Sequence, residues 1–175
     1  MSDGIRFARV WAMPNSCTFS VKPIGDFVRD YVDALPCGAV SIDLYARDSA
    51  LARLTNDIDP ASAAQSHMDA VDFMRTFADG SVDLLLFDPP YSPRQVSESY
   101  RGLGIKTDMQ TTQASYWSRA KTEAGRIVKS GGVALSFGWN SNGMGKKNGF
   151  AIERILLVAH GGAHNDTICV AERKL

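Results

Sequence analysis

The chain has 175 residues, 45% hydrophobic and 22% charged, which is enough for one domain with a substantial core. Lys plus Arg number 19 and Asp plus Glu number 19, so no chain-wide positive field exists to hold a polyanion, and any nucleic-acid contact must come from a local patch. The three cysteines, Cys17, Cys37 and Cys169, form no Cys-x-x-Cys pair, which speaks against a disulfide framework or zinc site, and with no membrane-length apolar stretch or leader pattern a cytoplasmic location is expected.

In chain order, residues 1–20 are mixed and carry the turn-like string Met13-Pro14-Asn15-Ser16. From Pro23 to Leu35, Ile24, Phe27, Val28, Tyr31, Val32 and Leu35 recur at helical spacing, with the proline in the favoured first turn; Pro36-Cys37-Gly38 ends that helix. Strand-like pieces follow at 39–45 and 54–58, then a helix or turn around 61–65 and a short helix within 69–77. Ser81 to Phe87 gives the strongest strand signal, with Val82 to Phe87 an apolar run interrupted only by Asp83. A helix is predicted over 112–130, with Trp117, Ala120, Ala124, Ile127 and Val128 on one face and Ser130-Gly131-Gly132 as its stop. Residues 133–139 read as a strand, and 150–160 with 167–173 as a closing pair joined by Gly161-Gly162-Ala163-His164-Asn165. This alternation predicts an α/β, doubly wound sheet with a terminal antiparallel hairpin and one antiparallel edge strand.

The strongest chemical signal is Asp88-Pro89-Pro90-Tyr91, placed at the carboxyl end of that best strand, where open α/β sheets hold their ligands. Two prolines remove two backbone donors and restrict φ, leaving stiff carbonyls free to accept. A carboxylate, a bare carbonyl and an aromatic ring together suit an exocyclic amino group on a planar heterocycle. Acids also stand at or after the preceding strand ends: Asp43 and Asp48, Asn56-Asp57, and Met68-Asp69-Ala70. In a nucleoside-cofactor site, an acid near the first strand can meet an ammonium and one after the second can accept ribose hydroxyls. An Asp or a backbone amide further on can read an adenine edge. For any one of these acids a helix cap is the competing reading.

On these residues the chain resembles the amino-group DNA methyltransferases, specifically the adenine-N6 branch, which prefers Asp in first place. The segment from Asn15 to Val21, followed by the Pro23 helix, is similar to the part of those enzymes that covers the methionine moiety. Met13-Pro14-Asn15-Ser16, the loop Tyr45-Ala46-Arg47-Asp48-Ser49 and Phe137-Gly138-Trp139-Asn140-Ser141-Asn142-Gly143 together resemble small single-domain phage and prophage methylases. The resemblance implies a Rossmann-like class I S-adenosylmethionine-dependent methyltransferase sheet in one domain, 1–175. It implies catalysis by Asp88, Pro89, Pro90 and Tyr91, and no metal. Cofactor contacts would come from Asn15, Ser16, Thr18, Phe19, Asp43, Tyr45, Ala46, Arg47, Asp48, Ser49, Asn56, Asp57, Asp69, Ala70 and Asp88. Restriction–modification and phage self-protection are the biological settings it suggests. The family's first cofactor motif has a Gly-x-Gly turn, whereas residues 45–49 contain no glycine. Either Ala46 suffices or side chains such as Arg47 and Ser49 rebuild the pocket.

The expected partner is DNA offering a flipped adenine. Arg94, Arg101 and Lys106 lie in a long stretch after Tyr91 that reads as a base-holding flap or a solvated loop. Lys146 and Lys147, among Asn140 to Asn148, are further candidates for the nucleic-acid backbone. His160 and His164 read as turn histidines, Trp117 as core and Cys169 as a buried hydrophobe. No room is left for a separate target-recognition domain, so recognition is expected from loops, a second protomer or another partner. Competing readings are an RNA base amino-methyltransferase, cytosine-N4 methylation, and an inactive cofactor-binding regulatory subunit.

Overall fold

The computed structural model describes residues 4–90, 114–162 and 164–175. In order come β1 (Arg6–Trp11), a 3-10 turn (Thr18–Ser20), α1 (Lys22–Val32), β2 (Ser41–Asp43), β3 (Leu54–Thr55), α2 (Ala70–Arg75) and β4 (Val82–Phe87). After these follow α3 (Ala114–Ile127), β5 (Val128–Gly138), a second 3-10 turn (Lys146–Asn148), β6 (Phe150–Ala159) and β7 (Thr167–Lys174). The strands make one sheet in the order β1-β6-β7-β5-β4-β2-β3, parallel throughout except for β7. Helices cover both faces. Ile42, Leu85, Phe87 and Ala134 pack under α2 and α3, while Leu84, Leu86, Leu135, Phe137 and Val158 pack under Ile24, Phe27 and Val28 of α1. The doubly wound reading is therefore correct.

Three sequence expectations need correction. The antiparallel strand is not at an edge: β7 folds back from β6 into the gap beside β5, and β1 and β3 form the edges. Its run Cys169-Val170-Ala171 is buried, as an interior strand requires. The strand β1 falls in a stretch read as mixed, because its partner β6 lies about 150 residues away in sequence and no local pattern announces it. The segment read as a helix end at 128–130 belongs to β5, since Val128 pairs with Val82. There Asp83, the acid inside the apolar run, accepts from the Val40 amide at 2.8 Å and pairs with Lys129. Residues 61–65 form a turn with no helix.

The 3-10 turn lies hard against α1. A Cβ at Gly25 would come within 2.5 Å of the Phe19 carbonyl oxygen, so only glycine permits this approach. The contact sets the position of Thr18 and of Phe19, whose ring meets Phe137 edge-on at 4.9 Å. Alanine at an interior helix position is normally favourable by about 1 kcal/mol over glycine, but overpacking costs about 1–3 kcal/mol. Gly25→Ala is therefore expected to destabilise by about 1–2 kcal/mol in urea unfolding, and a gain in stability would contradict this packing.

Candidate active site

The chain passes from β2 outward to β3, then returns to place β4 on the other side of β2. The order reverses between β2 and β4, so the crevice opens at their carboxyl ends. Asp43 closes β2 in register with Leu86, and Asp88 follows β4 after Phe87. Two carboxylates thus stand at adjoining strand ends. Asp43 is fully buried; one oxygen accepts from the Tyr45 amide at 3.1 Å and Oδ2 has no hydrogen-bond partner. Burial pushes its pKa up to about 8, opposed by the Tyr45 hydrogen bond and reinforced by the negative charges of Asp88 and Asp57. Asp88, Pro89 and Pro90 are half-buried at the crevice, and Tyr91 lies outside the described residues.

The glycine-free loop solves its backbone problem at Arg47, whose φ of 49° makes it the one non-glycine residue with positive φ among those described. Side chains hold it there. The Asp57 carboxylate accepts from the Arg47 amide at 2.9 Å and from the Asp59 amide at 2.9 Å, and Ala46 donates to the Asn56 carbonyl at 2.9 Å. The Arg47 guanidinium then donates to the Ser16 carbonyl at 3.0 Å. The N-terminal segment consequently runs along the carboxyl edge of the sheet from the end of β1 to the β2 loop.

Several expected cofactor residues have structural duties. Asn56 is fully buried, its amide donating to the Leu44 and Met68 carbonyls and accepting from the Met68 amide. Its side chain positions the loop. Asp69 caps α2, accepting from the Val71 and Asp72 amides, and Ala70 is buried beneath it. Asp48, exposed, accepts from the Ala63 amide, and the Ser49 amide donates to the Ala46 carbonyl. The Tyr45 ring meets Phe87 edge-on at 5.8 Å.

Beyond Asp88 the carboxyl edge continues to a cleft of about 180 Å³ lined by Asn15 and Thr18 together with Trp139, His160, Asn165 and Thr167. His160 is buried. Its Nδ1 faces the Ala12 carbonyl at 2.8 Å, which can only accept, so Nδ1 donates, while Nε2 lies 2.9 Å from the Thr167 hydroxyl. This imidazole ties β1, β6 and β7 together, a role invisible to local pattern. Its reading as a simple turn histidine missed that it braces the cleft. Trp139 was the available signal, an aromatic ending a strand near the motif. Among the described residues no cluster of His, Cys, Asp or Glu could hold a metal, and no helix is long and apolar enough to cross a membrane.

The lysine expectation also changes. Lys146 and Lys147 immediately precede β6, at the amino edge of the sheet, beside the end of β7. Because β5 and β6 run parallel, the connection descends a strand length, about 30 Å, from the crevice. They are not placed to hold a strand beside Asp88. Arg94, Arg101 and Lys106 lie outside the described residues.

No protein-family model and no curated relative matches the sequence. Solved structures do match the fold. TrmN from Thermus thermophilus aligns at TM-score 0.53 and 18% identity, covering 87% of this chain and 48% of that one. Geranyl diphosphate methyltransferase in complex with GPP and sinefungin aligns at 0.59 and 8%, covering 89% and 79%. SMU.1697c from Streptococcus mutans, solved with SAH, aligns at 0.53 and 13%, covering 88% and 98%. The chain therefore spans about half of TrmN but nearly all of SMU.1697c. Its fold is the Rossmann-like class I methyltransferase sheet.

Two outcomes follow from this geometry. Arg47→Gly and Arg47→Ala both remove the tether to Ser16, but only glycine relieves the left-handed backbone, a strain of about 1 kcal/mol. Chemical unfolding should therefore rank glycine above alanine by up to about 1 kcal/mol; equal stability would dismiss the strain. For Asp43, the folded chain keeps its proton up to about pH 8 while an unfolded aspartate releases it near 3.8. Between those values the folded state holds more protons, so raising the pH destabilises it, by up to about 1.4 kcal/mol per unit. The difference in unfolding free energy between wild type and Asp43→Asn should fall across this window and flatten above it. A flat difference from pH 4 to 8 would place the proton elsewhere.

Proposed function

We propose that this chain transfers a methyl group from S-adenosylmethionine to the N6 amino group of adenine in DNA. The observation that carries the reading is Asp88-Pro89-Pro90 at the carboxyl end of β4, one strand from buried Asp43, at the sheet's switch point. The cofactor fits the residues present: Asp43 Oδ2 is buried without a partner, and an ammonium docking there would take the place of its proton. Asp57 and the backbone of residues 45–49 follow on the same edge for the nucleoside end. The neighbours solved with sinefungin and SAH share this fold and support the choice.

S-adenosylmethionine supplies a methyl carbon on a sulfonium, electrophilic without further activation. The chain has to position and polarise the acceptor. The Asp88 carboxylate accepts one hydrogen bond from the exocyclic amine and the Pro89 carbonyl accepts another, drawing the nitrogen lone pair out of conjugation. On accepting the methyl group the nitrogen would shed a proton, for which the Asp88 carboxylate would be the base. Tyr91, from the sequence, would stack on the ring. The cleft beside Trp139, adjoining Asp88 along the edge, takes the rest of the flipped nucleotide.

Asp88→Ala should lower methyl transfer about 10³-fold, the size expected for removing a polar group that acts in the transition state. Calorimetric affinity for S-adenosylmethionine should stay within about threefold, since Asp43 and Asp57 remain. Nucleoside mass spectrometry on DNA and RNA treated with the wild-type protein identifies the product. N6-methyladenine in DNA supports the proposal; methylation confined to RNA replaces it with the RNA reading. Cofactor binding without any modified nucleoside would point to a regulatory subunit.

A further inference from the structure

The edge strand β1 exposes large apolar side chains along one face. Ile5, Phe7, Trp11 and Met13 are 55%, 65%, 64% and 65% exposed, all at odd positions. Even positions face the other way: Val10 and Ala12 pack into the core under α1. The register with β6 aligns Phe7 with Ile155 and Arg9 with Leu157, and β7 aligns Ile168 with Leu157. Ile155, Leu157 and Ile168 are themselves only partly buried, so the apolar surface continues inward from the edge. Its cause is topological. α2 and α3 cover this face over β2, β4 and β5, but the β5–β6 connection carries only a 3-10 turn where a helix could have shielded β6 and β1.

The strand's backbone is oriented to match. The Ala12 amide donates inward to the Ala159 carbonyl at 3.1 Å. Amide and carbonyl directions alternate along a strand paired on one side, so the even residues bond β6 and Phe7, Arg9 and Trp11 direct theirs outward. An unpaired row of this kind is a template for a further strand.

We infer that a second copy of this chain pairs antiparallel with β1 about a two-fold axis through Val10, joining two seven-stranded sheets into one. In that register Arg9 lies opposite Trp11 of the second copy and Phe7 opposite its Met13. The outward-bonding residues then face one another, and each arginine meets an indole instead of another arginine, a cation–π contact. An axis through Arg9 would instead oppose two like charges. The strand is thus complementary to itself in one register. The area is also adequate. At roughly 200 Å² per large side chain, the four exposures leave about 500 Å² per copy, so these side chains offer a dimer at most about 1,000 Å², to which the backbone pairing adds.

Light scattering during size-exclusion chromatography of the wild-type chain at micromolar concentration should give twice the mass of one chain. The double variant Phe7→Lys, Trp11→Glu should run as a monomer with an unchanged circular dichroism spectrum, because both residues are exposed. The register has its own readout in a Cys17→Ser, Cys37→Ser background. Mixed Arg9→Cys and Trp11→Cys chains should form a disulfide-linked dimer upon mild oxidation, while Arg9→Cys alone should form at least tenfold less. A wild-type monomer, a dimer that survives the double variant, or efficient linkage of Arg9→Cys alone would each overturn the inference.

Discussion

The crevice depends on the parallel pairing of β2 with β4. That pairing sets Asp43 against Leu86 and lets β4 run on through Phe87 to Asp88. Two acids therefore end neighbouring strands, in an interior where charge is poorly solvated. The fold treats the two acids differently. It buries Asp43 under Leu44 and Tyr45 until the carboxyl holds its proton to about pH 8, and leaves Asp88 at the half-buried mouth. Holding its proton, Asp43 adds no negative charge beside Asp88.

The loop after β2 shows how a site survives the loss of its usual backbone chemistry. A glycine would adopt positive φ without cost; here Arg47 does so because the Asp57 carboxylate captures its amide. Asp57 is in turn seated by the parallel bridge between Asn56 and Ser66 and by Asn56's three side-chain bonds. Interactions spread over residues 44–68 thus stand in for one missing glycine. This also explains why so many polar residues cluster after β2 and β3. Several serve the loop's shape.

What the sequence disclosed follows the range of the interactions involved. Buried strands such as β4 and the hairpin of β6 and β7 announce themselves through apolar runs, and α1 through its 3.6-residue spacing. The motif at Asp88 was legible because it concentrates its chemistry in adjacent residues. Longer-range features were not. β1 has meaning only against β6, and His160 only through Ala12, 148 residues earlier. Lys146 and Lys147 looked like neighbours of the β5 carboxyl end because sequence distance is short there, yet the chain descends the sheet's height before β6 begins. Asn56 and Asp69 also bond backbone groups at a loop and a helix start, partners no local pattern announces.

Arg47 gathers these threads. Its backbone supplies the bend that brings residues 45–49 to the crevice, and its guanidinium holds the Ser16 carbonyl across the edge. Asn15 and Thr18, on either side of that anchor, line the cleft with Trp139 and His160. The segment is held at its other end by the edge of β1, where Ala12 bonds both Ala159 and His160. One short stretch of chain is therefore suspended between the carboxylate end of the crevice and the aromatic end. A glycine at position 47 could have made the turn, but it could not have made the tether. The arginine accepts local strain of about 1 kcal/mol and in return ties the loop after β2 to the segment that lines the cleft.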